Sequence, residues 1–245
     1  MKQIIKTEGI VLKTTDYKEQ AVLAYILTKD GLKNYIIKGA KKISGGTRLL
    51  ASVLTKLEFN ATELEGLSTL TEGAILDNYL SIKQNMDKLF VAYPIIEKII
   101  TFADQVTNKQ IFYNFICKIF DLLSKDTYEQ AILAIFEAKL TFLLGISPEL
   151  KICVKCAQEA KTGAFSIYNG GIICDKCNTL LPYDLNTEDT EIFKLIYLIK
   201  LDKITKEFIE LIKDHINIIL PVLDKYYSKH LDFYSKSKQI LKEMK

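Results

Sequence analysis

Four of the five cysteines in this 245-residue chain are paired in two Cys-X-X-Cys motifs, CVKC and CDKC, which are seventeen residues apart. Two residues between cysteines allow both sulfurs to turn toward one ion, and two such motifs complete a tetrahedral thiolate site. Four thiolates leave no open coordination position for a substrate, so the spacing favours a structural zinc ion over a catalytic one. The sequence therefore predicts one zinc ion per chain, with the ligands Cys153, Cys156, Cys174 and Cys177.

Two other interpretations of these cysteines were considered: a degenerate site, and a reducible dithiol pair. The paired arrangement favours the metal. The fifth cysteine, Cys117, falls on the apolar face of a predicted helix and is expected to be a core residue.

Positive charge is concentrated in one short segment. Residues 29–48 hold six basic residues and a single acid, whereas the whole chain carries a formal net charge of only +3. Arg48, the last of the six, is the one arginine of the chain. The segment leaves a predicted strand and enters a Gly-rich loop, and such a loop can lie along a phosphate backbone. The alternative is a solvated lysine loop.

Aromatic residues for base stacking are sparse near this segment. Tyr17, Tyr25 and Tyr35 are the only ones before Phe59, which favours a sequence-independent backbone binder over a reader of bases. A second basic run closes the chain between residues 225 and 245. A solvated helix face is its favoured interpretation.

Catalytic motifs are absent from the sequence. There is no GxxxxGK, GxSxG or HExxH pattern, and His215 and His230 form no ligand pair. The protein is expected not to be an enzyme. An undetected active site is the alternative, and an open pocket with perturbed titratable groups would be its sign.

The segments that hold these residues differ in their pattern of apolar residues, which is strand-like in the first part of the chain and helical in the second. Up to Asp77 the chain contains five short runs rich in β-branched residues, with hairpin or turn signals at Asp30-Gly31 and Glu65-Gly66. Five strands in so small a unit suit a closed barrel, because closure removes the exposed sheet edges. An OB-fold and an SH3-like barrel both fit the spacing.

After Leu80 the apolar period becomes helical, and the steps of three and four from Ile82 to Ala103 predict one amphipathic helix. A second helix is expected over 109–123, and a third, apolar nearly all round over 131–144, is expected in the middle of a bundle. A further helix is predicted to start at Thr187, with acids at its positive end.

The hydrophobic composition of 49% is enough for a sizeable core. No apolar run reaches the length of about 18 residues that a membrane helix needs. The charged start of the chain does not resemble a signal peptide. A cytoplasmic location is expected.

Four stretches of the chain are similar to one family, in the same order. The run EGIVLKTTDYKEQAVLAYILTKDGLKNYIIKGAKK resembles the opening of the bacterial recombination mediator RecO family, with its Gly-Ile-Val-Leu strand and its Lys-Gly-Ala segment. FEAKLTFLLGISPELKICVKC resembles the family's helix and first cysteine pair, and GGIICDKC its approach to the second pair. HLDFYSKSKQIL resembles the family's C-terminal helix. The resemblance extends from end to end.

The resemblance implies an α+β fold, in which an N-terminal five-stranded OB-fold β-barrel is followed by an α-helical domain with an embedded four-cysteine zinc-finger-like insert. The expected boundaries are 1–78 for the OB-fold nucleic-acid-binding domain, 79–149 and 182–245 for the α-helical domain, and 150–181 for the zinc-binding insert.

The resemblance also implies a non-enzymatic, DNA-binding recombination mediator in DNA repair. Such proteins bind single- and double-stranded DNA and anneal complementary strands. With RecR, they help to load RecA onto DNA coated by single-stranded-DNA-binding protein. A cytoplasmic, nucleoid-associated location follows. The family's basic OB surface corresponds here to Lys33, Lys38, Lys41, Lys42 and Arg48, together with Lys13.

The alternative function is a zinc-stabilised protein-interaction scaffold with an incidental basic surface. One departure from the family bears on DNA binding: lysine stands where many members have arginine. Lysine lacks the bidentate fork of arginine, so each phosphate contact is expected to be weaker.

Overall fold

The structure is a computed structural model that describes residues 3–42, 46–63, 68–125, 128–178 and 182–243. Two predicted features, residues 43–45 of the basic loop and the turn at Glu65-Gly66, lie outside the described residues. The chain divides into two compact units, 1–125 and 126–245. Among the described helices, none has the length and apolar character needed to cross a membrane.

Five strands close into a barrel in the first unit. They are β1 (Gln3–Tyr17), β2 (Ala21–Thr28), β3 (Gly31–Lys38), β4 (Thr55–Glu63) and β5 (Ser68–Asp77). Their order around the barrel is β1-β2-β3-β5-β4, and β4 returns to pair with β1. All pairs are antiparallel except β3 and β5, which run parallel. This topology confirms the predicted OB-fold barrel and excludes the SH3-like alternative.

Alternation along the strands separates a core face from an outer face. On β2 the even-numbered side chains, such as Ala24 and Ile26, enter the barrel core, while Tyr25 points outward and is half-buried. Tyr35 and Phe59 meet edge to face inside the barrel, with ring centroids 5.0 Å apart. The barrel core is therefore complete without outward-facing side chains such as Tyr25.

Four helices complete the first unit: α1 (Thr47–Leu50), α2 (Leu80–Lys83), α3 (Met86–Phe102) and α4 (Lys109–Lys125). The short α1 packs against β3 and β5, and α4 packs against β2 and β3. The start of α4 agrees with the helix predicted from Lys109.

The single helix predicted from Ile82 to Ala103 is wrong in two respects. Asn85 interrupts it and caps α3, because its side chain accepts a hydrogen bond of 3.0 Å from the Lys88 N–H. The predicted apolar face is also rotated, since Met86 and Tyr93 are exposed. The run is apolar on more than one side, and its period alone could not select the face that packs.

The second unit combines helices with a small hairpin. Its elements are α5 (Glu129–Leu143), β6 (Gly163–Ser166), β7 (Gly171–Cys174), α6 (Thr187–Leu198), α7 (Lys206–Ile212), α8 (Ile216–Leu231) and α9 (Lys236–Glu243). Helix α5 is buried on nearly all sides and packs against α6 and α8, as its all-round apolar sequence predicted. The Tyr227 hydroxyl donates to the Glu137 carbonyl at 2.8 Å and links α8 to α5.

Helix α6 begins where the sequence predicted. Its cap is Asn186, one residue before the expected Thr187, and the Asn186 side chain accepts a 2.8 Å hydrogen bond from the Asp189 N–H. Glu188 and Asp189 lie in the first turn, where the helix dipole favours negative charge.

Candidate metal centre and nucleic-acid interface

The four predicted ligands converge on one point. The sulfurs of Cys153, Cys156, Cys174 and Cys177 all lie within 4.8 Å of one another. The distance between the Cys156 and Cys174 sulfurs is 3.9 Å. Zinc–sulfur bonds of about 2.3 Å in a tetrahedron place sulfurs about 3.8 Å apart, so the group has the size of a tetrahedral thiolate site. These four residues could hold a metal ion.

Two tight backbone turns position the sulfurs. In the first, the Ala157 N–H donates to the Cys153 carbonyl at 2.9 Å, and Ala157 itself adopts a left-handed φ of 57°. In the second, the Cys177 and Asn178 N–H groups donate to the Cys174 carbonyl at 2.9 and 3.0 Å. The short spacing between the cysteines of each pair is thus used to fold the chain around the sulfurs.

The two turns are joined by a backbone contact that only glycine allows. The Ile172 N–H donates to the Glu149 carbonyl at 2.8 Å, so the chain before the first turn lies against β7. A Cβ atom on Gly171 would lie only 2.5 Å from that same carbonyl oxygen. Gly170 adopts a left-handed φ of 75° in the hairpin turn, whereas Gly163 and Gly171 permit close backbone approaches.

Local hydrogen bonds prepare Cys153 to bind a cation. Burial raises the pKa of this thiol, but backbone N–H groups of Cys174, Cys156 and Lys155 outweigh that effect and lower the pKa to about 6. Hydrogen bonding to Cys156 raises the pKa of Cys177 to about 12. Cys153 therefore loses its proton more readily than Cys177, and a divalent cation would displace the thiol protons on binding.

The predicted DNA-binding lysines lie on and around the barrel. The outward side chains of β1, β2 and β3 form cross-strand rows, one of which joins Lys13, Tyr25 and Asn34. The Lys13 ammonium lies 5.5 Å from the centroid of the Tyr25 ring. Another row joins Tyr17 through Ala21 to Lys38. The outer face therefore carries two tyrosines, each beside a lysine.

An open groove of about 730 Å³ lies at the end of this face. It is formed by the β1–β2 turn, the end of β3 and the start of β5, and its lining includes Tyr17, Lys18, Lys38, Lys42 and Thr69. The Lys18 ammonium lies 5.4 Å from the centroid of the Tyr17 ring. The groove thus offers three ammonium groups and one aromatic ring, together with one carboxylate, that of Glu19.

Lys41 and Arg48 lie close to the groove. Lys41 forms a 3.0 Å ion pair with Asp16, whose side chain is exposed, so part of its charge is offset. Arg48 is exposed on α1, and the neighbouring Thr47 hydroxyl lies 3.4 Å from the position that a Cβ on Gly39 would take. Since Gly39 lines the groove, α1 begins beside it.

Lys33 is separated from the other predicted residues. It shares the inward register of Tyr35 and Ile37 on β3, whereas Lys38, an odd number of residues away, points outward. The structure therefore brings Lys13, Lys38 and Lys42 together on the outer side, with Lys41 and Arg48 nearby, and leaves Lys33 apart.

Sequence reasoning missed Lys18 and the role of the two tyrosines. Tyr17 and Tyr25 were counted as sparse aromatics, yet both lie on the outer face, while Tyr35 is buried in the core. The sequence of β2 does not separate them, because the strand is apolar on both faces: Leu23 and Leu27 share the register of Tyr25.

The fold and the site together define an OB-fold protein with a second, helical unit that holds a four-cysteine metal-binding insert. Residues 1–79 match the family model described as Recombination protein O N terminal, and residues 83–239 match Recombination protein O C terminal. The chain belongs to the RecO family.

Curated relatives match nearly the whole chain. The DNA repair protein RecO of Bacillus pumilus is 27% identical over 98% of this chain and 94% of its own length. The Bacillus subtilis protein of the same name is 26% identical over 98% of this chain and 95% of its own. The protein of that name from Oceanobacillus iheyensis is 27% identical, with coverage of 98% and 93%. The chain is therefore a member of a DNA repair family.

Proposed function

We propose that this protein is a non-enzymatic recombination mediator that binds single- and double-stranded DNA and anneals complementary strands. With RecR, it helps to load RecA onto DNA coated by single-stranded-DNA-binding protein. Its place of action is the cytoplasm, in association with the nucleoid.

The observation that carries this proposal is the outer face of the barrel. Strands 2 and 3 of an OB-fold, with the loops at one end, are the usual place for oligonucleotide binding. Here that region holds the groove with Lys18, Lys38 and Lys42, and two half-buried tyrosines on the outer face. Lysines attract phosphates irrespective of sequence, and aromatic rings stack on any base.

The mechanism is electrostatic. Two single strands repel each other through their phosphates, and lysines that neutralise part of that charge lower the cost of bringing the strands together. Base pairing then supplies the specificity, and no covalent bond is made or broken. The lysines bind without the rigid fork of arginine, so contacts exchange easily as strands align.

For the metal we propose one structural zinc ion per chain. Four cysteine sulfurs in a tetrahedral group of this size suit zinc and leave no open position for catalysis. When bound, the ion supplies a rigid link between the two turns, and the protein then presents the insert in one conformation.

Strand annealing tests the mediator function. Complementary oligonucleotides, bare or coated with single-stranded-DNA-binding protein, are mixed with the protein, and duplex formation is followed by fluorescence transfer. Wild type is expected to accelerate annealing on both substrates. The variant Lys38→Glu/Lys42→Glu is expected to lose most of that acceleration, because both changes reverse charge in the groove.

Lys203→Glu/Lys206→Glu is the matched control, because it makes the same two charge reversals at exposed lysines that do not line the groove. Wild type that fails to accelerate annealing of coated strands would contradict the mediator function and favour the scaffold alternative. Equal loss in the control and in the groove variant would contradict the assignment of the groove.

A further inference from the structure

The second unit carries an aromatic groove of its own, remote in sequence from the barrel. Its cavity of about 390 Å³ is lined by Tyr168, Pro182, Tyr183, Lys225 and Lys229, among others. Tyr168 is 84% exposed and Tyr183 is 55% exposed. Neither tyrosine belongs to the metal centre, and Lys225 and Lys229 begin the C-terminal basic run that the sequence favoured as a solvated helix face.

Tyr168 is held in place although it is exposed. It lies in the turn of the β6–β7 hairpin, and the Lys229 ammonium donates to the carbonyls of Ile167 and Tyr168 at 3.0 and 2.8 Å. The same ammonium lies 4.6 Å from the centroid of the Tyr168 ring. The turn is thereby held against α8, while most of the Tyr168 ring stays exposed. Because the turn is already ordered, a ligand that stacks on the ring would cost little further conformational entropy.

Tyr183 is positioned by the same strand. The next residue, Asp184, donates its N–H to the Phe165 carbonyl at 2.8 Å and accepts a 2.8 Å hydrogen bond from the Ile167 N–H through its carboxylate. Tyr168 therefore lies in the turn that follows β6, and Tyr183 is held beside β6 by the hydrogen bonds of Asp184. The carboxylate of Asp184, which also lines the groove, is engaged with a backbone N–H.

The chemistry of the groove selects its ligand. Lys225 and Lys229 lie four residues apart and so share one face of α8, beside two exposed rings. Exposed flat rings next to two cations match a chain of bases and phosphates. An acidic peptide could pair with the same lysines, so it is the alternative occupant that the test has to exclude.

We propose that this groove is a second site for single-stranded nucleic acid, in which bases stack on Tyr168 and Tyr183 and phosphates pair with Lys225 and Lys229. The inference rests on the proposed function, since DNA is the shared ligand, but it uses residues outside the barrel. A protein with two single-strand sites can hold two segments at once, which is what annealing requires.

The test measures binding of the full-length protein to a fluorescent thymidine oligomer and to an abasic oligomer of the same length and charge. Tyr168→Ala is expected to weaken binding of the thymidine oligomer about 5-fold or more, the lower end of the effect of losing one stacked base. Binding of the abasic oligomer is expected to be unchanged, because it has no base to stack. Tyr168→Phe, which keeps the ring, is expected to bind as wild type does.

A second readout locates the strand directly. Photocrosslinking with a 5-iodouracil oligomer, followed by peptide mapping, is expected to label Tyr168 or Tyr183 as well as the barrel. Tyr93→Ala, which removes an exposed tyrosine from α3, is the matched control and is expected to leave both readouts unchanged.

The outcomes separate this inference from the proposed function. If Lys38→Glu/Lys42→Glu lowers affinity while Tyr168→Ala has no effect and no crosslink forms at 168 or 183, the second site is overturned and the barrel site stands. If Tyr168→Ala lowers affinity and the barrel variant does not, the second site stands and the barrel site fails. The same proteins are also tested with an acidic peptide. If Tyr168→Ala weakens binding of the peptide but not of the oligomer, the groove is a peptide site and the proposal is overturned.

Discussion

The barrel and the cysteine insert are both small β structures in this chain, yet they are stabilised by different means. The barrel buries a broad set of apolar side chains around Tyr35 and Phe59 and closes its sheet on itself. The insert has a two-stranded sheet over a core of Cys153, Ala160, Ile172 and Ile173. A two-stranded hairpin is marginal in water, so we expect the insert to depend on its contacts with the helices and on a metal ion held by its four sulfurs.

This difference explains where variation is tolerated. The barrel core is formed by inward-facing side chains alone, so outward-facing lysines can change without loss of the fold. In the insert, the candidate ligand Cys153 is also a core residue, so we expect one change there to remove both contributions. We therefore expect loss of the metal to unfold the insert. Truncation of a core side chain is expected to lower the stability of the barrel, and removal of charge is expected to weaken DNA binding alone.

Loss of the metal is expected to have the largest effect. Structural zinc in zinc-finger peptides contributes an apparent free energy of about 10–16 kcal/mol, so Cys153→Ser/Cys156→Ser should abolish metal binding and unfold the insert. Elemental analysis is expected to give about one zinc per chain for wild type and close to none for the variant. Hydrogen exchange should then lose its protection in 149–178 but not in the barrel strands.

Cys117→Ala is the control for that change, because Cys117 is buried in α4 outside the metal centre. It should leave the metal content at one. Wild-type protein that contains no metal would contradict the expected dependence of the insert on a metal ion. An insert that stays protected from hydrogen exchange without metal would contradict it as well.

Truncation of the barrel core is expected to have the next largest effect. Phe59 is almost fully buried and meets Tyr35 edge to face, so Phe59→Ala should lower the free energy of unfolding by about 3–5 kcal/mol. Chemical denaturation followed by circular dichroism measures this loss. Metal content should remain at one per chain, and a loss of zinc in this variant would contradict the independence of the two regions.

Charge removal in the groove is expected to have the smallest effect. Lys38→Gln/Lys42→Gln removes two cations without reversing their charge, so the slope of log affinity against log salt for single strands should become shallower by about 1.4. Stability should be unchanged, because both side chains are exposed. Lys203→Gln/Lys206→Gln is the control, because it removes two exposed cations outside the groove, and an equal change of slope in the control would indicate a diffuse charge effect instead of a groove.

The sequence was sufficient to group the four cysteines and to predict the barrel strands, because both are encoded locally. Two residues between cysteines define a turn, and the Asp30-Gly31 signal coincides with the turn between β2 and β3. The choice between an OB-fold and an SH3-like barrel was different. It depended on the parallel pairing of β3 with β5, a long-range contact that single-strand patterns do not contain.

The sequence was not sufficient to predict which face of a helix is buried when several of its faces are apolar. The run after Leu80 is apolar on several sides, and the packed face was decided by neighbours distant in sequence together with the cap at Asn85. Charge density likewise grouped Lys33 with Lys38, although strand alternation separates them. The groove at Tyr168 was not foreseen, because it joins a hairpin turn to a helix about sixty residues further along the chain.

The salt dependence of single-strand binding tests the central claim most directly. If the barrel contacts about five phosphates, log affinity of the wild-type protein for a thymidine oligomer should fall with log salt at a slope of about −3.5, or more steeply where the second groove contributes. The slope should be the same for oligomers of different sequence, since phosphates are the main contact. A slope near zero would contradict binding through electrostatic contacts with the phosphate backbone.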